Sequence, residues 1–302
     1  MDPFSAAGAS IAPLEGGWSG ETFVAEAGGE RTVVRIYADP RHSQHAAEIA
    51  ASLLRLLRGL LPVPQVREVR RADPAAGTPA LLVTEWLPGV RGDLLLPTLD
   101  GAGLRRAGAA VGEVAAVLAG MPTLRGGLFA DGDLTIEPFD SGLADWVERH
   151  RDDLVRMDWH SGEIDDLVGI AERAQARLDT VGRTSLVHAD LNPKNLLLDP
   201  ETLTVTGVLD WEFTHSGHPF TDLGNVARFD REPPYLEGVL GAWEDRHGTA
   251  ADEALDLARA ADLLALVDLA ARSGTNPVAT RAEANLRAIV DTRDWHAVPG
   301  QE

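Results

Sequence analysis

The stretch that most constrains this chain is HADLNPKN, His188–Asn195, followed by LDWE at Leu209–Glu212. Asp190 and Asn195 lie five positions apart, on one loop that leaves the β-run SLVH (Ser185–His188). Asp210 stands fifteen residues after Asn195. Between them run two short apolar segments, NLLLD (Asn195–Asp199) and VTGVLD (Val205–Asp210), joined by the turn DPET. Two β-runs with a proline-bearing turn between them predict a hairpin. Its open end then gathers an aspartate, an asparagine and a second aspartate. Each half alone is commonplace, because an aspartate after an apolar run is most often a helix cap. The two halves at this spacing are specific.

Phosphoryl transfer from ATP to a hydroxyl uses that set of groups. One carboxylate orients the attacking hydroxyl and takes its proton, while an amide oxygen and a second carboxylate hold Mg²⁺ on the phosphates.

The rest of the chain predicts an α+β layout. TFVAEA, GGE and RTVVRIYA read as a β-hairpin, and QHAAEIAASLLRLLR (Gln44–Arg58) as a helix with apolar residues at three- and four-residue steps. QVREV and PALLVTEWL read as two further strands of a sheet expected to have five, and LPGVRGD is a proline-glycine boundary. Beyond it, helices are predicted at Leu104–Leu118, Ser141–Arg156, Ile164–Leu178, Asp222–Phe229, Leu236–His247, Asp252–Ala271 and Thr280–Asp291. The expected division is a loose leader over 1–13, an N-terminal lobe with its hinge over 14–89, and a helical C-terminal lobe over 90–302.

Composition excludes several functions. The chain has no cysteine, which removes disulfides, thiolate catalysis and cysteine metal sites. Its net charge of −20 opposes binding of bare nucleic acid. No apolar run approaches a membrane span, and the first residues lack the basic region of a secretory signal, so a cytoplasmic protein is expected. The charge is uneven: residues 1–89 carry −2 and residues 90–302 carry −18. Lys194 is the only lysine among 27 basic residues.

The motif, its hairpin and the preceding β-rich segment resemble the aminoglycoside phosphotransferase and choline kinase family, over residues 14–290. The resemblance implies a bilobal protein-kinase-like fold, with a small antiparallel β lobe and a larger, mainly helical lobe. It implies Asp190 as catalytic base, Asn195 and Asp210 as Mg²⁺ ligands, and ATP (or GTP) as phosphate donor. His188 would brace the loop, and Asp222 in FTDLGN would accept hydrogen bonds from the loop backbone. GGWSGET, with Gly17, Ser19 and Gly20, resembles a nucleotide-positioning loop. Arg35 stands where the family places a phosphate-binding basic residue, and Glu48 where it places that residue's ion-pair partner. Adenine would meet backbone groups between Glu85 and Leu87. Ala189 replaces a glycine common in the family, which is tolerable if φ there is negative.

The acidic second part suits a cationic acceptor, such as an aminoglycoside or a cationic peptide antibiotic. Glu212, Asp230 and Glu232 are the acceptor-side candidates. A choline-like amine, an amino alcohol, a sugar or a macrolide are alternative acceptors, and a catalytically silent nucleotide-binding protein is the alternative of another class. His215 and His218 read as loop residues, since H-x-x-H off a loop lacks the helical spacing of zinc sites. Trp86, Trp146, Trp211 and Trp243 read as core.

Overall fold

A computed structural model of the chain describes residues 10–14, 22–40, 42–139, 142–229, 232–297 and 299. The chain divides into two compact units. The first comprises residues 1–103, 127–137 and 192–215, and the second 104–126, 138–191 and 216–302. The 196–208 hairpin therefore packs with the N-terminal residues, although the proline-glycine boundary precedes it by a hundred positions.

In the first unit five antiparallel strands form one sheet in the order β1-β2-β3-β5-β4. They are β1 (Ser10–Pro13), β2 (Thr22–Ala27), β3 (Glu30–Tyr37), β4 (Val66–Arg70) and β5 (Ala80–Glu85). β1 corrects the expectation of a loose leader up to residue 13. Its four residues are all exposed and end in proline, so no apolar alternation marks them, yet they pair with Phe23–Glu26. An edge strand tolerates proline because one side of its ladder needs no donor. β2 and β3 are joined by Gly28-Gly29, both at positive φ, the geometry a two-residue hairpin turn demands.

Helix α1 (Ala46–Leu57) packs on this sheet through Ala47, Ala50, Ala51, Leu53, Leu54 and Leu57, all buried. Their three- and four-residue spacing gives one apolar face. The chain then turns at Pro62, whose carbonyl accepts the N–H of Val208 at 2.9 Å.

The second unit is mainly helical. Helices Ser161–Leu178, Ala251–Ala270 and Pro277–Thr292 enclose a core that includes Ile164, Leu167, Ile170, Leu257, Leu263, Leu286 and Ile289. Helix Pro233–His247 adds Tyr235 and Trp243, both almost fully buried. The helix predicted over 141–156 is instead two, Leu143–Arg149 and Arg151–Arg156, broken at His150, whose φ and ψ of −94° and 4° lie outside the helical basin. Several strands of two or three residues, such as Pro122–Thr123 and His215–Gly217, carry too few positions for periodicity to reveal. His215 thus opens a strand where a loop was expected. Among the described residues no helix is long and apolar enough to cross a membrane.

Candidate functional site

In the first unit the hairpin strands are Leu196–Leu198 and Val205–Val208, with Leu196 opposite Val208. The ladder's last rung is the Leu209 N–H donating to the Asn195 carbonyl at 2.8 Å. Asn195 and Asp210 consequently flank the open end of the hairpin. On the Asn195 side, the Asn192 side chain caps a short 3₁₀ turn over Pro193–Asn195 by accepting the Lys194 N–H at 3.0 Å. The Lys194 side chain itself is exposed. At the closed end, the Asp199 carboxylate accepts the N–H groups of Glu201 and Thr202 at 2.8 and 2.9 Å. A third strand, Val90–Arg91, lies along Leu197–Leu198. The turn before it is pinned to the hairpin, where the Thr206 hydroxyl donates to the Pro88 carbonyl at 2.7 Å. Gly89 has φ +135°, and a Cβ there would meet the Leu197 side chain at 3.0 Å.

Asp210 has φ +63°, which aspartate adopts more readily than most residues. The next side chain, Trp211, is buried and donates Nε1–H to the Val208 carbonyl at 3.0 Å. Asp210 and Glu212 both reach Arg35 of β3. Arg35 Nη1 donates to Asp210 Oδ1 at 2.5 Å, and Nη2 donates to Glu212 Oε2. Only 16 % of the Arg35 side chain is exposed, so these contacts are largely shielded from solvent. Burial disfavours the guanidinium charge, but Asp210, Tyr37 and Glu212 outweigh it and hold the pKa of Arg35 above its ordinary value. Burial, then the charge of Asp210, pushes the Glu212 carboxyl up, against the pull of Arg35.

Two sequence expectations change here. Glu48 does not pair with Arg35; it bonds Arg71 Nη2 at 2.7 Å and His45 Nδ1 at 3.2 Å. Glu212, expected on the acceptor side, engages Arg35. Sequence spacing could not reveal that pair, because 177 positions separate the partners.

Asp210 and Asn195 offer a carboxylate and an amide oxygen, the hard donors that Mg²⁺ takes when phosphate oxygens and water complete its shell. The donor set fits that ion. Among the described residues no cluster of three or more His, Cys, Asp or Glu forms an all-protein metal site. His215 and His218 instead bond carbonyls, at Phe213 (3.0 Å) and Leu178 (3.2 Å). Burial pushes His218 down to about 4.

At the end of β5, Glu85 N–H donates to the Gln65 carbonyl at 2.9 Å, and its side chain lies 3.7 Å from Arg67. Trp86 N–H points to Arg31 O, and Arg31 lies over the Trp86 ring. Trp86 is therefore an exposed ring rather than core. Leu87 keeps its backbone N–H and carbonyl clear of hydrogen bonds among the described residues. Gly17, Ser19, Gly20 and Asp230 lie outside the described residues.

In the second unit, strand Thr184–Val187 delivers His188, Ala189 and Asp190. His188 is fully buried, and its Nδ1 accepts the Asp190 N–H at 3.2 Å. The Asp222 carboxylate accepts two loop N–H groups, from His188 at 2.9 Å and Ala189 at 2.8 Å. Burial pushes Asp222 up to about 7; the two N–H donors oppose this and the charge of Asp190 adds to it. Ala189 has φ +67°, contrary to the negative φ that alanine prefers. Asp190 itself is half-buried. Glu232 is exposed, immediately before helix Pro233–His247.

One pair escaped the sequence reading. Arg228 donates through Nε and Nη2 to Asp262, at 2.6 to 3.0 Å, and both are buried. Asn225 Nδ2 donates to the same carboxylate at 3.2 Å. The field of Asp190 also favours the Arg228 charge. An aspartate inside the apolar run AADLLALVDLA was the available signal, since carboxylates are rarely buried without a partner.

A family model described as the phosphotransferase enzyme family matches residues 10–260. The aminoglycoside 3'-phosphotransferase of Streptomyces ribosidificus is 31 % identical over 201 residues, 64 % of this chain and 70 % of that protein. Acyl-CoA dehydrogenase family member 10 of Mus musculus is 27 % identical over 188 residues, 60 % of this chain but only 16 % of that protein. The chain thus matches a small part of that longer relative.

Among solved structures, aminoglycoside phosphotransferase APH(4)-Ia superposes with a TM-score of 0.64 at 19 % identity, covering 94 % of this chain and 93 % of that one. A thermostable mutant of it, in a ternary complex with ADP and hygromycin B, gives 0.62 at 20 % identity, covering 94 % of each chain. These likenesses establish the fold, a small antiparallel sheet with a mainly helical region, as in the protein-kinase-like phosphotransferases. With a model match over most of its length and a hairpin built as its motif predicts, the chain belongs to the phosphotransferase enzyme family.

Proposed function

We propose that the protein transfers the γ-phosphoryl group of ATP to a hydroxyl of a small cationic molecule, an aminoglycoside being the favoured acceptor. The observation that carries this reading is the hairpin end, where Asn195 and Asp210 flank the last rung and Arg35 reaches Asp210. Asp190 stands five residues from Asn195 along one stretch, at most about 18 Å even fully extended.

In this reading Asp190 orients the acceptor hydroxyl and takes its proton as the new O–P bond forms and the bond to the β-phosphate oxygen breaks. Asn195 and Asp210 hold Mg²⁺, which neutralises charge on the phosphate oxygens. Arg35 binds phosphate through its planar fork. The open backbone groups of Leu87 suit an adenine edge, and Gly17, Ser19 and Gly20 belong to the phosphate loop. His188 and Asp222 fix the backbone that presents Asp190. Most of the rate gain comes from position and fixed charge.

Two of the similar proteins support the acceptor class. One carries aminoglycoside 3'-phosphotransferase as its name, and the other was solved with ADP and hygromycin B. The −18 charge of residues 90–302 favours a polycation, with Asp230 and Glu232 the remaining acidic candidates. The test is incubation with Mg²⁺, ATP or GTP and a panel of aminoglycosides, amino alcohols, sugars and macrolides, read by mass spectrometry. An added phosphate on an aminoglycoside is expected; phosphate on neutral acceptors alone overturns the cationic assignment.

A further inference from the structure

We infer that Glu212, and not Glu48, is the residue that positions Arg35 for the nucleotide phosphates. This rests on the reading of Arg35 as a phosphate ligand, and it changes which carboxylate holds that ligand in place.

Arg35 has two carboxylate partners, Asp210 on Nη1 and Glu212 on Nη2. Its Nε is buried and has no hydrogen-bond partner among the described residues. The fork is thus tied at both tips, and its Nε–H is left over. The α1 carboxylate is committed elsewhere, with Glu48 Oε1 2.7 Å from Arg71 Nη2 and Oε2 3.2 Å from His45 Nδ1.

The two partners of Arg35 are not equivalent. Asp210 is the carboxylate assigned to the metal, and an oxygen committed to a cation there is no longer available to Nη1. Glu212 has no such second duty, so it is the contact that persists when Nη1 turns to phosphate. A long arginine side chain loses much rotamer freedom when fixed. An anchor made in the free protein removes that loss from the binding step. The local chain supports the assignment: Trp211, buried between the two acids and bonded to the Val208 carbonyl, fixes the backbone from which both project.

The test is ADP binding at saturating Mg²⁺, by calorimetry on the full chain. The proteins are wild type, Glu212→Gln, Glu212→Asp, Glu48→Gln, Arg35→Met and the double variant Arg35→Met with Glu212→Gln. Loss of a charged hydrogen bond corresponds to about a tenfold weaker affinity. Glu212→Gln should weaken ADP by about that factor, Glu212→Asp should recover part of it, and Glu48→Gln should stay within about twofold. In the Arg35→Met background, Glu212→Gln should cause no further weakening, because only its repulsion of phosphate remains. Unchanged or tighter ADP binding in Glu212→Gln overturns the inference, as does equal weakening by Glu48→Gln. Unchanged binding in Arg35→Met removes the phosphate role beneath it, a different failure from either.

Discussion

Asp222 Oδ1 accepts the backbone N–H of Ala189 at 2.8 Å, and Ala189 is held at φ +67°. The bond fixes the residue immediately before Asp190 in a conformation that alanine disfavours. The loop presenting the proposed base is therefore strained in its backbone and tied to a buried carboxylate.

Ala189→Gly should relieve the strain. The left-handed region costs an L-residue about 1–2 kcal/mol, and glycine returns part of that through greater freedom of the unfolded chain. The expected gain is roughly 0.5–1 kcal/mol, seen as a higher urea midpoint. Ala189→Val, β-branched at positive φ, should lower the midpoint. A lower midpoint for the glycine variant would contradict the strain.

Asp222 predicts a pH dependence. Burial raises its folded pKa to about 7, above its ordinary value of 3.8. The native state therefore binds the proton more tightly, so the contribution is fully present below pH 3.8 and is lost as pH rises through about 7. His218 acts with the opposite sign. Its folded pKa falls from 6.5 to about 4, so its contribution is present above 6.5 and is lost as pH falls through about 4. Denaturation midpoints measured from pH 4.5 to 8 should differ between wild type and Asp222→Asn by an amount that shrinks the wild-type fall toward neutral pH. Parallel curves for the two proteins refute the assignment.

The Arg228–Asp262 pair is predicted to matter through what remains after removal. Asp262→Ala leaves a guanidinium buried without its carboxylate, which costs about 3–5 kcal/mol. Replacing both partners, as in Arg228→Met with Asp262→Leu, should recover much of that loss. Chemical denaturation of the three proteins separates these outcomes, and an additive double variant contradicts them.

Asp210→Asn should weaken the Mg²⁺ dependence of nucleotide binding. The ratio of ATP affinities with and without Mg²⁺ should fall by about tenfold or more. Asn195→Ala should act in the same direction through loss of the amide oxygen. A ratio equal to that of wild type in both variants removes them as metal ligands.

Much of this was legible before any coordinates. HADLNPKN and LDWE carry local information, a turn and a hairpin, and their order along the chain fixes which side chains share its open end. The alternation in TFVAEA and RTVVRIYA likewise dictates paired strands around Gly28-Gly29. Contacts between distant segments were not legible. Nothing local in VVRIY or LDWE tells Arg35 to choose Glu212 over Glu48, because that choice depends on how β3, α1 and the hairpin stack. Ser10–Pro13 was hidden for another reason, since an exposed edge strand needs no apolar face. The positive φ of Ala189 goes with a bond to Asp222, 33 positions away, which no local pattern announces.

The most direct test of the proposed chemistry is ADP release by Asp190→Ala, measured with Mg·ATP and an aminoglycoside bearing its free hydroxyls, beside its affinity for ADP. The account predicts turnover lower by about 10²–10⁴ with nucleotide affinity nearly unchanged. Turnover close to wild type would contradict it.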